Sequence, residues 1–328
     1  MKIAITDYSF PNLDVESGIL QPETELIGAQ CKTIETLIPL VSDADAVITQ
    51  FAPIKAEVIA AMQRARVIVR YGIGVDNVDL DAARAKGIPV CNVPDYCIDE
   101  VADHTLAFIL ATTRQVVPNS NRLRDGKWGL ATSLDQMRAL RDLTVGVVGF
   151  GRIGREVVSR LRAFKCRVLV HDPVVSPADV EKAGATAADL THLLANSDVV
   201  TLHCPSLAQT RGMINRESLS RMKPGAILIN VARGDLVDSA ALTEALQQKH
   251  VAAAALDVFA PEPIPVDHPI LKLDNVIFAS HIASTSVPAV RKLRETAANL
   301  ALKAVRGEPL PNIVNGVVQS GSRDTARG

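Results

Sequence analysis

The amino-acid sequence reads as an α/β protein with two doubly wound parallel sheets, on three counts. Short runs rich in Val, Ile and Thr alternate with helical patterns, and this alternation comes in two separate series. The 328 residues, 48% hydrophobic and 22% charged, supply more than one core of ordinary globular composition. Strand-helix alternation calls for parallel strands covered by helices on both faces. No Gly, Ser or Pro tract separates the series, and no fixed period marks a solenoid.

The first series comprises Lys2–Thr6, Ala46–Thr49, Val67–Arg70 and Ile88–Val93, each an apolar run bounded by turn formers. Apolar spacing predicts helices over Ala56–Arg64 and Asp79–Lys86. A longer helix is predicted over Glu100–Val117, apolar nearly all round and therefore buried, with Asp99 as N-cap and Pro118 as its stop. The second series runs Thr144–Gly149, Arg167–His171, Val199–His203, Ala226–Val231, Ala252–Val258 and Val276–Ala279. Ser286 and Pro288 then open a helix that Gly307 closes. The polar tail Ser320–Gly328 is expected to be mobile.

Lys plus Arg (35) and Asp plus Glu (36) nearly cancel, so the net charge of −1 provides no field for nucleic acid or an anionic membrane. Neither is expected as a partner. The five cysteines, at 31, 91, 97, 166 and 204, form no Cys-x-x-Cys pair, which suits a reducing compartment and argues against a structural metal. No signal-like segment opens the chain and no apolar run reaches a membrane span, so a cytoplasmic location is expected.

The sharpest local signal is Gly149-Phe150-Gly151-Arg152-Ile153-Gly154, directly after a strand and before a helical pattern. Gly149 permits a tight turn, Gly151 lets backbone approach a pyrophosphate, and Gly154 permits close helix-sheet packing. Arg152 and Ile153 open the helix whose N–H groups face the phosphates. About 20 residues on, Asp172 ends the next strand, placed to accept hydrogen bonds from a ribose diol. A carboxylate there repels a 2′-phosphate, and Val174-Val175-Ser176 offers no arginine to receive one, so the expected cofactor is NAD rather than NADP. Gly72-Ile73-Gly74 also follows a strand, but Asn77 stands where a third glycine belongs, and it is not read as a second nucleotide site. Its backbone can still meet a small anion, as an ordinary tight turn cannot be told apart from such a nest by sequence.

Moving a hydride between an alcohol carbon and nicotinamide needs a proton exchanger near the hydroxyl, and an acidic substrate needs a cation. Arg233 follows the strand Ala226–Val231, and His281 follows Val276–Ala279. Both therefore lie at carboxyl ends, where doubly wound sheets place ligands. An arginine fork can hold a carboxylate through two bonds. Glu262, after the strand that ends near Val258, could orient the His281 ring and favour its charged form, although spacing alone leaves the two open as unrelated loop residues.

At these residues the chain resembles the D-isomer-specific 2-hydroxyacid dehydrogenases. The resemblance rests on Tyr71 to Asp79, Val101 to Leu106, Gly149 to Gly154, Asn230 to Asp238, Asp257 to Pro263 and the His281 segment, in the family's order. It is nearest to the branch of the phosphoglycerate dehydrogenases and the C-terminal-binding-protein co-repressors. It implies a Rossmann NAD-binding domain, residues 99–285, inserted into a flavodoxin-like substrate domain built from 1–98 and 286–328. It also implies Arg233 as the carboxylate-binding arginine, His281 as acid/base and Glu262 as its partner. Asp172 would meet the adenosine ribose and Asp257 the nicotinamide amide; His104, Pro205, Thr210 and Ala232 would line the cofactor. Gly72, Ile73 and Gly74 would meet the substrate carboxylate, and a homodimer through the cofactor domains is implied.

Two departures bear on the transfer. Ser284 stands where many relatives have glycine and the co-repressors tryptophan, and the sequence ends without the regulatory domain of many phosphoglycerate dehydrogenases. The expected activity is interconversion of a small 2-hydroxy acid and its 2-keto acid. A compact phosphoglycerate dehydrogenase is one rival, and an NADH-sensing interaction protein resembling the co-repressors is another. The loop Gln50-Phe51-Ala52-Pro53 is expected to meet the substrate's C3 end, and it carries no cation before Lys55. Glyoxylate, hydroxypyruvate or a small aliphatic homologue is therefore expected over a phosphorylated acid.

Overall fold

A computed structural model describes residues 1–318, which form two compact units. The tail expected to be mobile, Ser320–Gly328, lies outside the described residues. The first unit comprises Met1–Tyr96 and the chain from Ser286 onward; the second is Cys97–Thr285.

The first unit is built on strands β1 (Lys2–Ile5), β2 (Glu25–Gly28), β3 (Ala46–Thr49), β4 (Ile68–Arg70) and β5 (Val90–Cys91). They lie in the order β2-β1-β3-β4-β5, all parallel, which is the flavodoxin order with the chain reversing beside β1. Apolar layers cover both faces: Ile3, Ile5, Ile48 and Val69 pack with Leu293, Ala297 and Leu300, while Ala4, Val47 and Ile68 pack with Leu37, Val58 and Ile59. The helix Val287–Arg306 starts at Ser286, whose Oγ accepts the Ala289 N–H at 3.1 Å, and ends at Gly307 with φ of 75°. A buried charge cluster ties this helix to the start of the chain. Arg294 donates to both Glu16 oxygens (2.9 Å from Nε, 2.6 Å from Nη2), Tyr71 Oη donates to Glu16 at 2.9 Å, and the guanidinium stands 4.9 Å from the Phe10 ring centroid. Burial beside the Glu16 carboxylate pushes the Tyr71 hydroxyl far above its usual acidity range.

The second unit carries β6 (Thr144–Val148), β7 (Arg167–His171), β8 (Thr186–Ala187), β9 (Val199–Leu202), β10 (Ala226–Asn230), β11 (Val251–Leu256) and β12 (Val276–Phe278). The parallel order β12-β11-β10-β9-β6-β7-β8 puts the reversal between β6 and β9. That crevice, at the carboxyl ends, is where open α/β sheets bind ligands. The carboxylate of Asp198, at the start of β9, accepts from Thr144 N–H (2.8 Å), Arg138 (2.6 Å) and Lys223 (2.6 Å), and so locks the opposite ends of β6 and β9.

The long helix differs from its sequence reading. It spans Ile98–Thr113 with Cys97 as N-cap, and Asp99 lies in its first turn. It ends because Gln115 turns left-handed (φ 52°), with its Nε2 donating to the Thr112 carbonyl at 2.8 Å. A second helix, Val116–Arg124, follows, and Pro118 sits in its first turn, where no intrahelical N–H is needed. The strand predicted over Ile88–Val93 pairs only at Val90–Cys91. The edge strands β2 and β8 have no counterpart in the sequence reading.

Candidate active site and cofactor cradle

The turn after β6 takes the shape its glycines allow. Gly149 has φ of 97°, and a Cβ there would lie 2.7 Å from the Cys204 nitrogen on the neighbouring crossover. A Cβ at Gly154 would overlap the Gly149 carbonyl oxygen, so the helix Arg152–Ala163 can pack this closely only through glycine. At Gly151 a Cβ would meet nothing within 4 Å. Gly151 is also the N-cap and supplies no side-chain cap, which leaves first-turn N–H groups, those of Arg152 and Ile153 among them, for a phosphate. The turn therefore fits a dinucleotide pyrophosphate.

Asp172 directly follows β7 and turns back onto this loop. Its carboxylate accepts from Phe150 N–H at 2.7 Å, Val174 N–H at 2.9 Å and Val175 N–H at 3.2 Å. Burial opposes its charge, but these N–H bonds outweigh that effect and hold the carboxyl below the usual range. An anion is thus fixed just past the end of β7, against the glycine turn.

The loop after β9 is braced by its own threonine. Thr210 Oγ1 donates to the Pro205 carbonyl at 2.6 Å and accepts the Leu207 N–H at 2.8 Å, closing the loop on itself. His104, on the helix Ile98–Thr113, packs edge-on to Phe108 with ring centroids 4.4 Å apart. Its Nε2 is buried 4.0 Å from Asp257 Oδ1 and has no hydrogen-bond partner among the described residues. A buried orphan nitrogen here suits a polar group of a bound cofactor.

Three strand ends bring the chemical candidates together. After β10, Asn230 shapes the turn: its Nδ2 donates to the Arg233 carbonyl at 2.8 Å and its Oδ1 accepts the Ala232 N–H at 3.0 Å. Arg233 Nη1 donates to the Ala232 carbonyl at 2.7 Å. A Cβ at Gly234 would overlap the Phe259 carbonyl, so only glycine lets this turn reach the segment after β11. Phe259 N–H in turn donates to Glu262 Oε1 at 2.8 Å. After β12, His281 Nδ1 lies 2.7 Å from Glu262 Oε2. Burial works against the Glu262 charge, and the hydrogen bond to His281, the Phe259 N–H and the Arg233 charge together reverse that, so its carboxyl titrates below the ordinary range. Spacing had left Glu262 and His281 open as unrelated residues; the fold makes them a pair.

Asp257 does something sequence reasoning missed. Its carboxylate holds the His281 loop, accepting Ile282 N–H at 2.8 Å and Ala283 N–H at 3.0 Å. No local signal marks this, because the donors lie 25 and 26 residues downstream.

Gly72, Ile73 and Gly74 belong to the first unit, where Gly72 has φ of 143°. The loop Gln50–Pro53 is fixed from below by Asp7, which accepts Gln50 N–H at 2.9 Å and Phe51 N–H at 2.6 Å. Arg70, at the end of β4, carries its guanidinium to 5.8 Å from the Phe51 ring centroid, and a Cβ at Gly72 would overlap it. The loop and the turn therefore share the Arg70 cation. Among the described residues no group of three or more His, Cys, Asp or Glu is arranged to hold a metal, and no helix is long and apolar enough to cross a membrane.

Comparison with known proteins places this geometry among similar ones. Residues 106–283 match the family model described as D-isomer specific 2-hydroxyacid dehydrogenase, NAD binding domain. The chain is 40% identical over 282 residues to the D-3-phosphoglycerate dehydrogenase of Mycobacterium tuberculosis, covering 86% of this chain and 53% of that protein. It is 39% identical over 305 residues to the glyoxylate reductase of Korarchaeum cryptofilum, covering 92% and 89%. The chain thus spans about half the length of the phosphoglycerate dehydrogenases it matches. Among solved structures it resembles D-lactate dehydrogenase from Aquifex aeolicus complexed with NAD and lactic acid, with a TM-score of 0.86, 30% identity and coverage of 93% and 96%.

Proposed function

Since the chain belongs to the D-isomer specific 2-hydroxyacid dehydrogenase family, we propose that it is an NAD-dependent oxidoreductase interconverting a small D-2-hydroxy acid and its 2-keto acid. The observation that carries the reading is the His281–Glu262 pair, 2.7 Å apart, beside the turn of Arg233 in a unit that carries a dinucleotide cradle. Gly149, Gly151, Arg152, Ile153 and Gly154 would hold the pyrophosphate and Asp172 the ribose, with His104, Pro205, Thr210, Ala232 and Asp257 lining the rest. Bound NADH supplies the hydride, and NAD accepts it in the reverse direction.

In reduction, Arg233 binds the substrate carboxylate and polarises the carbonyl. His281, held through Nδ1 by Glu262, presents Nε2 as the proton donor to the carbonyl oxygen as it becomes a hydroxyl. In oxidation the neutral ring takes that proton back. Of the Gly72–Gly74 turn expected to meet a carboxylate, Gly72 N–H already donates to the Arg70 carbonyl at 2.9 Å, so Ile73 and Gly74 would be the ones to offer backbone N–H groups. The test is NADH oxidation with a panel of glyoxylate, hydroxypyruvate and short aliphatic 2-keto acids. Turnover of at least one to a D-2-hydroxy acid supports the reading. NADH binding without turnover of any acid contradicts it and favours the interaction-protein reading.

A second reading has its own observation. Arg70 beside Phe51 and the Gly72 turn offers a cation to a phosphorylated C3 end, and similar proteins include D-3-phosphoglycerate dehydrogenases. The ratio of kcat/KM for hydroxypyruvate and 3-phosphohydroxypyruvate separates the two. A strong preference for the phosphorylated acid selects the compact phosphoglycerate dehydrogenase.

We further propose a cytoplasmic homodimer. None of the five cysteines is in a disulfide, which suits a reducing compartment. The segment from Val116 to Leu134 exposes Val116, Leu123, Trp128 (88% exposed) and Leu134 (75%) on the cofactor unit. A run of large apolar side chains of this kind calls for a covering partner, and a second copy fits. Light scattering after chromatography should give twice the monomer mass, and Trp128→Glu should shift it toward one.

A further inference from the structure

We infer that Asp235 is a positioning residue that fastens the loop Pro205–Gly212 to the turn carrying Arg233, and thereby sets where the Arg233 guanidinium stands. The inference rests on the dehydrogenase reading above, in which that loop lines the cofactor and Arg233 binds the substrate carboxylate.

Three side chains form one knot. Ser206 Oγ donates to Asp235 Oδ2 at 2.6 Å. Arg211 Nε lies 3.3 Å from the same oxygen and donates to Ser206 Oγ at 3.2 Å. Backbone bonds run beside the knot: Gly212 N–H donates to the Asp235 carbonyl at 2.8 Å and Ile214 N–H to the Leu236 carbonyl at 3.0 Å. The loop after β9 and the turn after β10 are thus joined by main chain at one side and by charge at the other.

The knot sits two residues from Arg233, and the residue between them has no room to move. Gly234 is pressed against the Phe259 carbonyl, and Phe259 holds Glu262. Glu262 and Phe259 therefore brace the turn from one side, and Asp235 braces it from the other. Asn230 fixes the carbonyl of Arg233. Each of these contacts narrows where the turn, and with it the Arg233 side chain, can stand.

What the knot contributes is geometry rather than stability. The Arg211 and Asp235 side chains are 59% and 38% exposed, and ion pairs so wet add little to folding. Displacing a binding cation by an ångström, however, slows a bimolecular reaction out of proportion to the energy of the lost contact. Loss of the knot should therefore appear in turnover and substrate KM while leaving the folded state intact. A purely structural pair would do the opposite.

The test uses the full chain and its best 2-keto acid from the panel. Asp235→Ala should lower kcat/KM for the keto acid roughly 10-fold to 100-fold, through both a higher KM and a lower kcat. Arg211→Ala should move both constants in the same direction, and the double variant should be no worse than Asp235→Ala alone. Asp235→Asn, which still accepts from Ser206, should recover most of the loss. The melting temperature should stay within about 2 °C of wild type in each. Wild-type constants in Asp235→Ala, additive losses in the double variant, or losses that track melting temperature would overturn the inference. If the wild type itself turns over no keto acid, the dehydrogenase reading fails, which is a different result from an active wild type with an unaffected Asp235→Ala.

Discussion

Asp257 holds His281 by the backbone: its carbonyl accepts the His281 N–H at 2.7 Å, and its buried carboxylate accepts the next two N–H groups. His281 stands at φ of 57°, in the left-handed region that a side chain with a Cβ occupies only at a cost. Asp257, just past the end of β11, thus pins the backbone of the segment after β12 in the conformation in which the His281 ring meets Glu262. Asp257→Asn turns one acceptor into a donor facing an N–H. The change should cost about 1–3 kcal/mol in stability, measured by urea unfolding, and should lower kcat as well. Unchanged stability and turnover would show that the loop holds itself.

Cofactor choice follows from Asp172. Its carboxylate is kept charged by three backbone N–H groups, so a 2′-phosphate there meets a fixed like charge. We predict higher kcat/KM with NADH than with NADPH, and a gap narrowed at least roughly tenfold in Asp172→Ala. Equal efficiencies in the wild type would refute the assignment.

The pH profile should report Glu262. Its carboxyl titrates below the ordinary range, so it is anionic at neutral pH. A depressed carboxyl contributes stability that is present above its unfolded value and is lost as the pH falls through the lowered folded value. Glu262→Gln should therefore unfold at lower urea than wild type at pH 7, and the gap should shrink as the pH is taken down through that acid range. A gap that stays constant or widens at acid pH would contradict the pairing.

The buried cluster in the first unit gives a prediction about stability alone. Glu16 is fully buried and its charge is met by Arg294, which is 9% exposed at the side chain. Arg294→Met should destabilise the unit by about 3–5 kcal/mol, because it strands the Glu16 carboxylate. Glu16→Gln together with Arg294→Met removes both charges and keeps an acceptor for Tyr71, so it should recover at least half of that loss. Urea midpoints of the three proteins decide it.

What the sequence showed and concealed follows from where each interaction is made. The strands of β-branched residues and the glycine turn were legible because their information is local, in side-chain type and backbone freedom. The strand β2 was not, because it is a half-exposed edge strand beginning at Glu25 and lacks a continuous apolar run. The break at Gln115 was hidden because a glutamine, not a glycine, takes the left-handed turn, and Pro118 suggested a stop where it tolerates a start. Arg294 meets Glu16 across 278 residues, and Asp235 meets Ser206 across 29, so no window along the chain contains either pair. Glu262 and His281 were nameable by type and by strand end, but their hydrogen bond is a product of two strands lying side by side.

The most direct measurement is keto-acid reduction by His281→Ala, with NADH affinity measured on the same protein by fluorescence. With the proton donor gone and the dinucleotide cradle untouched, kcat should fall by about 10²-fold to 10⁴-fold while the NADH Kd stays within about threefold of wild type. Near wild-type turnover in His281→Ala would contradict the account.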